Sequence, residues 1–173
     1  TKVSSELISF IETESNVLLP IVLGSCIPQN CPLNHKFDGS FTIGKQDKDQ
    51  LVNKALLYLN APYLWGGKTT FGIDGPGFTQ MTYKTNGYRL LRGAQQQSTQ
   101  GEALSFIEES EPGDLAFFDN NDGTIDHVGI IMENNYVIHS FGKVRIDRID
   151  HTGIFNTETN TYTHKLRVIK KII

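Results

Sequence analysis

The chain has no long apolar run. Its longest, Val17 to Gly24, is interrupted by Pro20 and falls far short of the roughly 20 residues a bilayer-spanning helix needs, so no membrane span is expected. A basic excess is missing too: 16 Lys and Arg stand against 19 Asp and Glu, a net charge of -3. That balance argues against a partner held through phosphates, and so against nucleic acid, and the short basic tail around Lys165 to Lys171 does not overturn it. Cysteine is scarce. Cys26 and Cys31 either close a small loop in an oxidising compartment or remain two free thiols, and both readings stay open. The first residues, TKVSSELISF, lack a basic start followed by an apolar core and do not read as a signal peptide. The chain is then cytoplasmic, mature after cleavage, or an excised fragment. What is present, 173 residues with 38% apolar and 20% charged, fits one ordinary domain with room for a small appendage.

Leu7, Ile8 and Ile11 share a helical face within Ser4 to Ser15, behind serines able to cap. Asn16 to Leu23 reads as a buried strand, the Pro- and Asn-rich Cys26 to Gly39 as a loop, and Ser40 to Ile43 as a short strand. The polar stretch Gly44 to Asp49 marks a boundary, which gives an appendage over residues 1–45 and a main domain over 46–173. Asp47 with Gln50 resembles a capping box, and Leu51, Val52, Ala55, Leu56 and Leu59 then form one face of a helix that stops at Asn60-Ala61-Pro62. A second helix starts at Pro76 and ends at Asn86-Gly87; a third, short one lies near Gln95 to Leu104. Strands follow at Leu115 to Phe118, His127 to Met132, Tyr136 to Ser140, Lys143 to Ile149 and Tyr162 to Ile172. No internal repeat is visible. Helices first and an antiparallel meander afterwards predict an α+β domain, its helices packed on one side of a sheet of about five to six strands.

The stretch that organises the chain is Tyr63 to Gln80, YLWGGKTTFGIDGPGFTQ: an aromatic-glycine run, a turn, and a helix start. A nucleophile at a helix N-terminus gains from the macrodipole and free backbone N–H groups, which lower a thiol pKa and bind an oxyanion. Position 75 has that placement, yet it is Gly75, followed by Pro76. A base must come from elsewhere. His127 and His139 lie on strands joined by the Glu133 to Asn135 turn, an even number of residues apart, so both can face one side of the sheet, one orienting the other. A lone strand histidine is more often structural than catalytic; the pair carries the functional reading. His35, His151 and His164 read as surface residues. A metal site from His127, Asp126 and His139 matches no dense ligand spacing, so no metal and no cofactor are expected. Tyr63 and Trp65 could be plain core, and Gln95 to Gln97 could line a polar cleft or cover a surface.

Taken in order, these blocks resemble the NlpC/p60 family of cell-wall cysteine peptidases, whose fold is papain-like, over about Asp47 to the C-terminus. APYLWGGKTTFGIDGPGFTQ is similar to the family's Tyr, Trp-Gly-Gly, then Gly-hydrophobic-Asp-Cys-Ser-Gly block. LLRGAQQQ is similar to its Leu-Pro-Arg-Asp segment, with Leu91 and Gly93 in place of Pro and Asp. EPGDLAFF followed by IDHVGIIM resembles the block with the general-base histidine, and VIHS the strand with the third catalytic residue. The resemblance implies His127 as base, His139 as its orienter, Gly75 at the nucleophile position, and Tyr63, Trp65, Asp74, Pro76 and Asp126 as substrate-cleft residues. It also implies peptidoglycan stem peptides as substrate class, commonly cut after D-glutamate next to a diamino acid, and a cell-envelope, periplasmic or secreted location. LPIVLGSCIP and FDGSFTIG are faintly similar to the end of a bacterial SH3-like domain, which makes residues 1–45 the remnant of one.

Without a thiol at position 75 the acyl-enzyme route is closed, since glycine carries nothing that attacks an amide carbonyl. Cys26 and Cys31 lie in the appendage, and Ser98 and Thr99 have no histidine implied beside them. The expectation is a binding pseudoenzyme, whose ligand is either peptidoglycan peptides in the inherited cleft or another protein; Pro76, which fills space where substrate would pass, favours a changed ligand. The alternatives are an active γ-D-glutamyl-diamino acid endopeptidase whose cysteine has been altered in this chain, and a module for a cell-envelope protein partner.

Overall fold

A computed structural model describes residues 1–28 and 34–173. The expectation for Cys31 lies outside these residues. Six short strands come first: β1 (Lys2–Ser4), β2 (Ile8–Thr13), β3 (Leu18–Val22), β4 (Cys26–Ile27), β5 (His35–Lys36) and β6 (Phe41–Thr42). They form two small antiparallel sheets, ordered β4-β1-β6 and β3-β2-β5. The helix expected over Ser4 to Ser15 is therefore a strand. Ile8 and Phe10 are exposed while Ser9 is buried, a period of two, and Asn16 in the left-handed region (φ 58°) turns the chain so that β3 pairs with β2. Leu18 to Pro20, expected to be buried, face solvent. Leu23 beyond them is buried in the main core, and Thr42 donates to the Thr85 carbonyl, so this region packs on the domain that follows.

Helix α1 (Gln50–Leu56) is shorter than its spacing suggested, and its N-cap is Asp49 with no side-chain cap. Asp47 acts through its backbone carbonyl, which accepts from the Gln50 N–H and the Asn86 amide. The buried stripe is Leu51, Ala55 and Tyr58, whereas Leu56 and Leu59 are exposed. A small hairpin of β7 (Lys68–Thr69) and β8 (Gly72–Ile73) then leads into α2 (Gly75–Thr85), which ends before Gly87 in the left-handed region (φ 84°). Helix α3 (Ala94–Gln97) is a single turn, after which the chain turns over residues 98–101 and the end of the expected third helix is strand β9 (Glu102–Leu104).

The main sheet contains β9, β10 (Leu115–Asp119), β11 (Ile125–Met132), β12 (Tyr136–Phe141), β13 (Lys143–Ile149), β14 (Gly153–Asn156) and β15 (Thr161–Lys171). Its seven strands run in the order β10-β11-β12-β13-β14-β15-β9, and β15 pairs back onto β10. Six strands thus close into a barrel-like ring, where an antiparallel meander of about five to six was expected, and β9 adds a seventh strand outside the ring. The eleven-residue β15 makes closure possible: one edge takes β14 and then β9, the other takes β10. Strand alternation sorts the side chains into two cores. Leu115, Phe117, Val128, Ile130 and Ile138 face the helices with Tyr58, Phe78 and Met81. Ala116, Phe118, Ile131, Val137, Ile149 and Ile154 fill the other side. Helix α2 packs on β11 and β12, with α1 and α3 also against β11, so the helices share one side as expected. Among the described residues no helix is long and apolar enough to cross a membrane.

Candidate functional site

Helix α2 begins under unusually tight local control. Asp74 is its N-cap, in extended conformation, and accepts from the Gly77 N–H at 2.7 Å. The same carboxylate accepts from the Gly66 N–H at 2.9 Å and takes a two-pronged bond from Arg92, at 2.9 and 2.6 Å. Gln97, fully buried, donates to the Pro76 and Leu91 carbonyls and accepts from the Thr79 hydroxyl. The Ser140 hydroxyl donates to the Ile73 carbonyl, tying the helix start to β12. Asp74 was expected in a substrate cleft; its carboxylate bonds Gly66, Gly77 and Arg92 and so holds the first turn of α2. The stretch holding Arg92 and Gln97 was read only as lining a polar cleft or covering a surface, and neither residue was expected to bind the start of α2.

The histidines sit where the alternation argument put them, with one refinement. His139 is opposite Gly129 in the β11–β12 register, so His127 lies diagonally from it on the same face. Gly129 provides the room: a Cβ there would lie 2.6 Å from Val137 Cγ2 and 3.1 Å from His139 Cβ. His127 Nε2 is 2.8 Å from His139 Nδ1, and His139 Nε2 is 2.9 Å from Asp147 Oδ2. Arg145 holds Asp147 through two bonds of 2.7 and 2.9 Å. Asp147 was missed by sequence reasoning, although it lies one hairpin on, at the alternation phase of His139.

These bonds assign the protons. An ionised Asp147 accepts, so His139 carries its proton on Nε2 and accepts at Nδ1. His127 must then donate from Nε2, which leaves Nδ1 as a bare acceptor. That nitrogen faces Gly75: a Cβ built at position 75 would lie 3.4 Å from His127 Nδ1, 3.5 Å from its Cε1 and 3.7 Å from the Val128 carbonyl. Position 75, base and orienter are therefore brought together.

Electrostatics keep the imidazoles neutral. Burial, then the charges that His139 and His164 would carry, push His127 well below its ordinary value. Burial also lowers His139, outweighing the bond to Asp147. For Asp147 burial raises the pKa, but the bonds from His139 and Arg145 win and hold it low. His164, expected on the surface, is part of the cluster. Its ring stacks on His127 at 4.1 Å between centroids, and burial pushes its pKa down to about 4. Strand β15 brings it there by closing the ring. His127, His139 and His164 each offer a ring nitrogen, all within 4.8 Å of one another. Asp126 is not part of that group.

An open cleft of about 710 Å³ lies over this cluster, lined in part by Tyr63, Asp126, His127, Phe141, Tyr162 and His164. Tyr63 and Asp126 are on its wall, while Trp65, Asp74 and Pro76 are not among its lining residues. Trp65 is 85% exposed and Tyr63 42%, so neither is core.

A family model described as "NlpC/P60 family" matches residues 60–164. A gamma-D-glutamyl-L-lysine dipeptidyl-peptidase of Bacillus cereus is 32% identical over 144 residues, which cover 75% of this chain and 43% of that protein. The crystal structure of an NlpC/P60 family protein from Bacillus cereus superposes with a TM-score of 0.79 at 22% identity, over 99% of this chain and 62% of that one. RipD from Mycobacterium tuberculosis, a non-catalytic NlpC/p60 domain protein adapted to peptidoglycan binding, superposes at 0.58 with 19% identity, over 75% of this chain and 99% of its own. At such identities the two structures establish the fold alone. The chain spans less than two thirds of the length of both Bacillus cereus proteins.

Proposed function

Because the chain belongs to the NlpC/P60 family, a family of peptidoglycan hydrolases, we propose that it binds peptidoglycan stem peptides in the cleft over His127 without cutting them. One observation carries this reading: a complete relay from Asp147 through His139 to His127 ends on Gly75, which has no atom to activate. Pro76 adds to it, since its missing N–H removes a possible oxyanion donor beside that position. Removing a nucleophile leaves at best a small residual rate from binding alone. RipD supplies a parallel, being non-catalytic and peptidoglycan-binding on the same fold.

In this reading Tyr63 and Asp126 contact the peptide on the cleft wall, and exposed Trp65 offers it a further apolar face. Residues 1–45 act as an appendage to the 46–173 domain, derived from an SH3-like module, and the protein works in the cell envelope or outside it. Titration of the tripeptide L-Ala-γ-D-Glu-L-Lys followed by NMR tests this, with shifts expected at Tyr63, Asp126 and His127 and the peptide recovered whole. No shift at these residues would favour a protein partner instead. The reading of an altered active peptidase is supported by a different observation: the space at position 75 accepts a Cβ at ordinary contact distance beside His127 Nδ1.

A further inference from the structure

We propose that His127, His139 and His164 form a site for a divalent transition metal, Zn²⁺ first among them, on the wall of the cleft. This does not rest on the peptide-binding reading. The three nitrogens already lie within 4.8 Å of one another, held on three different strands of the closed ring. Two of the imidazoles have their other nitrogen occupied by a supporting partner: Asp147 on His139 Nε2 at 2.9 Å, and the Thr163 hydroxyl on His164 Nδ1 at 2.9 Å. Metal-ligating histidines are oriented in this way, with the far nitrogen bonded to a carboxylate or other polar group. The nitrogens left for a metal are His139 Nδ1, His164 Nε2 and His127 Nε2.

The lost nucleophile removes the obstacle to this use. In the relay His127 Nε2 donates to His139 Nδ1 at 2.8 Å, so ligation requires its proton to move to Nδ1. A cysteine at position 75 would compete for Nδ1, because its thiol proton goes to that nitrogen. Gly75 leaves Nδ1 free to carry the shifted proton, and His127 stays neutral throughout. Zn–N bonds of about 2.0–2.1 Å in a tetrahedral site put neighbouring nitrogens roughly 3.4 Å apart, so the two rings must separate by about half an ångström. His139 is fully buried while His127 and His164 line the cleft, which directs the fourth coordination position outward to water or to a carboxylate in the cleft. An all-imidazole set selects Zn²⁺, Cu²⁺ or Ni²⁺ over Mg²⁺ and Ca²⁺.

The test uses chelator-treated protein without a histidine tag, titrated calorimetrically with ZnCl₂ and, separately, MgCl₂. One Zn²⁺ per chain with micromolar or tighter affinity is expected, and no heat with Mg²⁺. His164→Phe keeps a ring stacked on His127 but removes both nitrogens, and is expected to weaken Zn²⁺ binding about tenfold or more; His151→Ala should leave it unchanged. Should His164→Phe fail to fold, long-range ¹H–¹⁵N correlation of the histidine rings in the unaltered protein decides the matter. Zn²⁺ is expected to move the ring nitrogens of His127, His139 and His164 and to spare those of His151. Absence of binding, equal affinity in a folded His164→Phe, or unmoved signals from the three rings would overturn the proposal.

Discussion

Replacing Gly75 by cysteine probes the site at the one position where it is incomplete. The backbone there is ordinary helix, and the new Cβ would meet His127 Nδ1 at 3.4 Å and the Val128 carbonyl at 3.7 Å, both within contact range. The Cβ itself meets only ordinary contacts, and removing a glycine from a helix reduces unfolded-state freedom, so stability should be unchanged or higher by up to about 1 kcal/mol. The thiol would sit at the N-terminus of an eleven-residue helix, against a bare imidazole nitrogen. Both effects favour thiolate and should bring its pKa from about 8.5 to below about 7. Burial of His127 opposes this, because it disfavours the imidazolium that the pair needs. The assay is the rate of iodoacetamide alkylation against pH, in a Cys26→Ser/Cys31→Ser background. A midpoint below about 7 is expected. A thiol that titrates at 8.5 or above, or a variant that loses more than about 1 kcal/mol, would show that position 75 is not the partner of His127. Adding Pro76→Ser should then restore cleavage of a stem peptide.

Asp74→Ala removes the cap of α2 and leaves Arg92 without its carboxylate; with Asp74 buried and Arg92 37% exposed, a loss of about 2–4 kcal/mol is expected in urea unfolding, and less than about 1 would contradict the bracing role. Stability should also fall on acidification. His127, His139 and His164 all have folded pKa values below 6.5, so the unfolded chain binds more protons, the stabilisation is complete above pH 6.5, and it is lost as pH drops toward the folded values, about 4 for His164. At pH 5 this amounts to roughly 2 kcal/mol for His164, with His127 and His139 adding in the same direction; equal or greater stability at pH 5 than at 7.5 in chemical denaturation would refute it.

The local parts of this site were legible in the sequence and the closing parts were not. The start of α2, its end at Gly87 and the facing of His127 and His139 follow from turn chemistry and period-two alternation, which act over a few residues. His164 joins the cluster only because β15 pairs back onto β10, and no local periodicity encodes that β15 closes a ring; Asp147 lies one hairpin on from His139 and its alternation phase was readable, but nothing local marks it as the partner. Asp74 carries a role the motif did not suggest: its bonds to Gly66, Gly77 and Arg92 brace the helix. Ser4 to Ser15 misled because three apolar residues fit a helical face by chance, while β3 was at hand to make a strand of them.

The most direct test of a cleft that binds and does not cut is one sample read two ways. Purified protein is incubated with L-Ala-γ-D-Glu-L-Lys, binding is followed by calorimetry, and the peptide is then weighed by mass spectrometry. Saturable binding with the tripeptide intact is expected. Release of free lysine or of the L-Ala-D-Glu dipeptide at a rate proportional to protein concentration would contradict it.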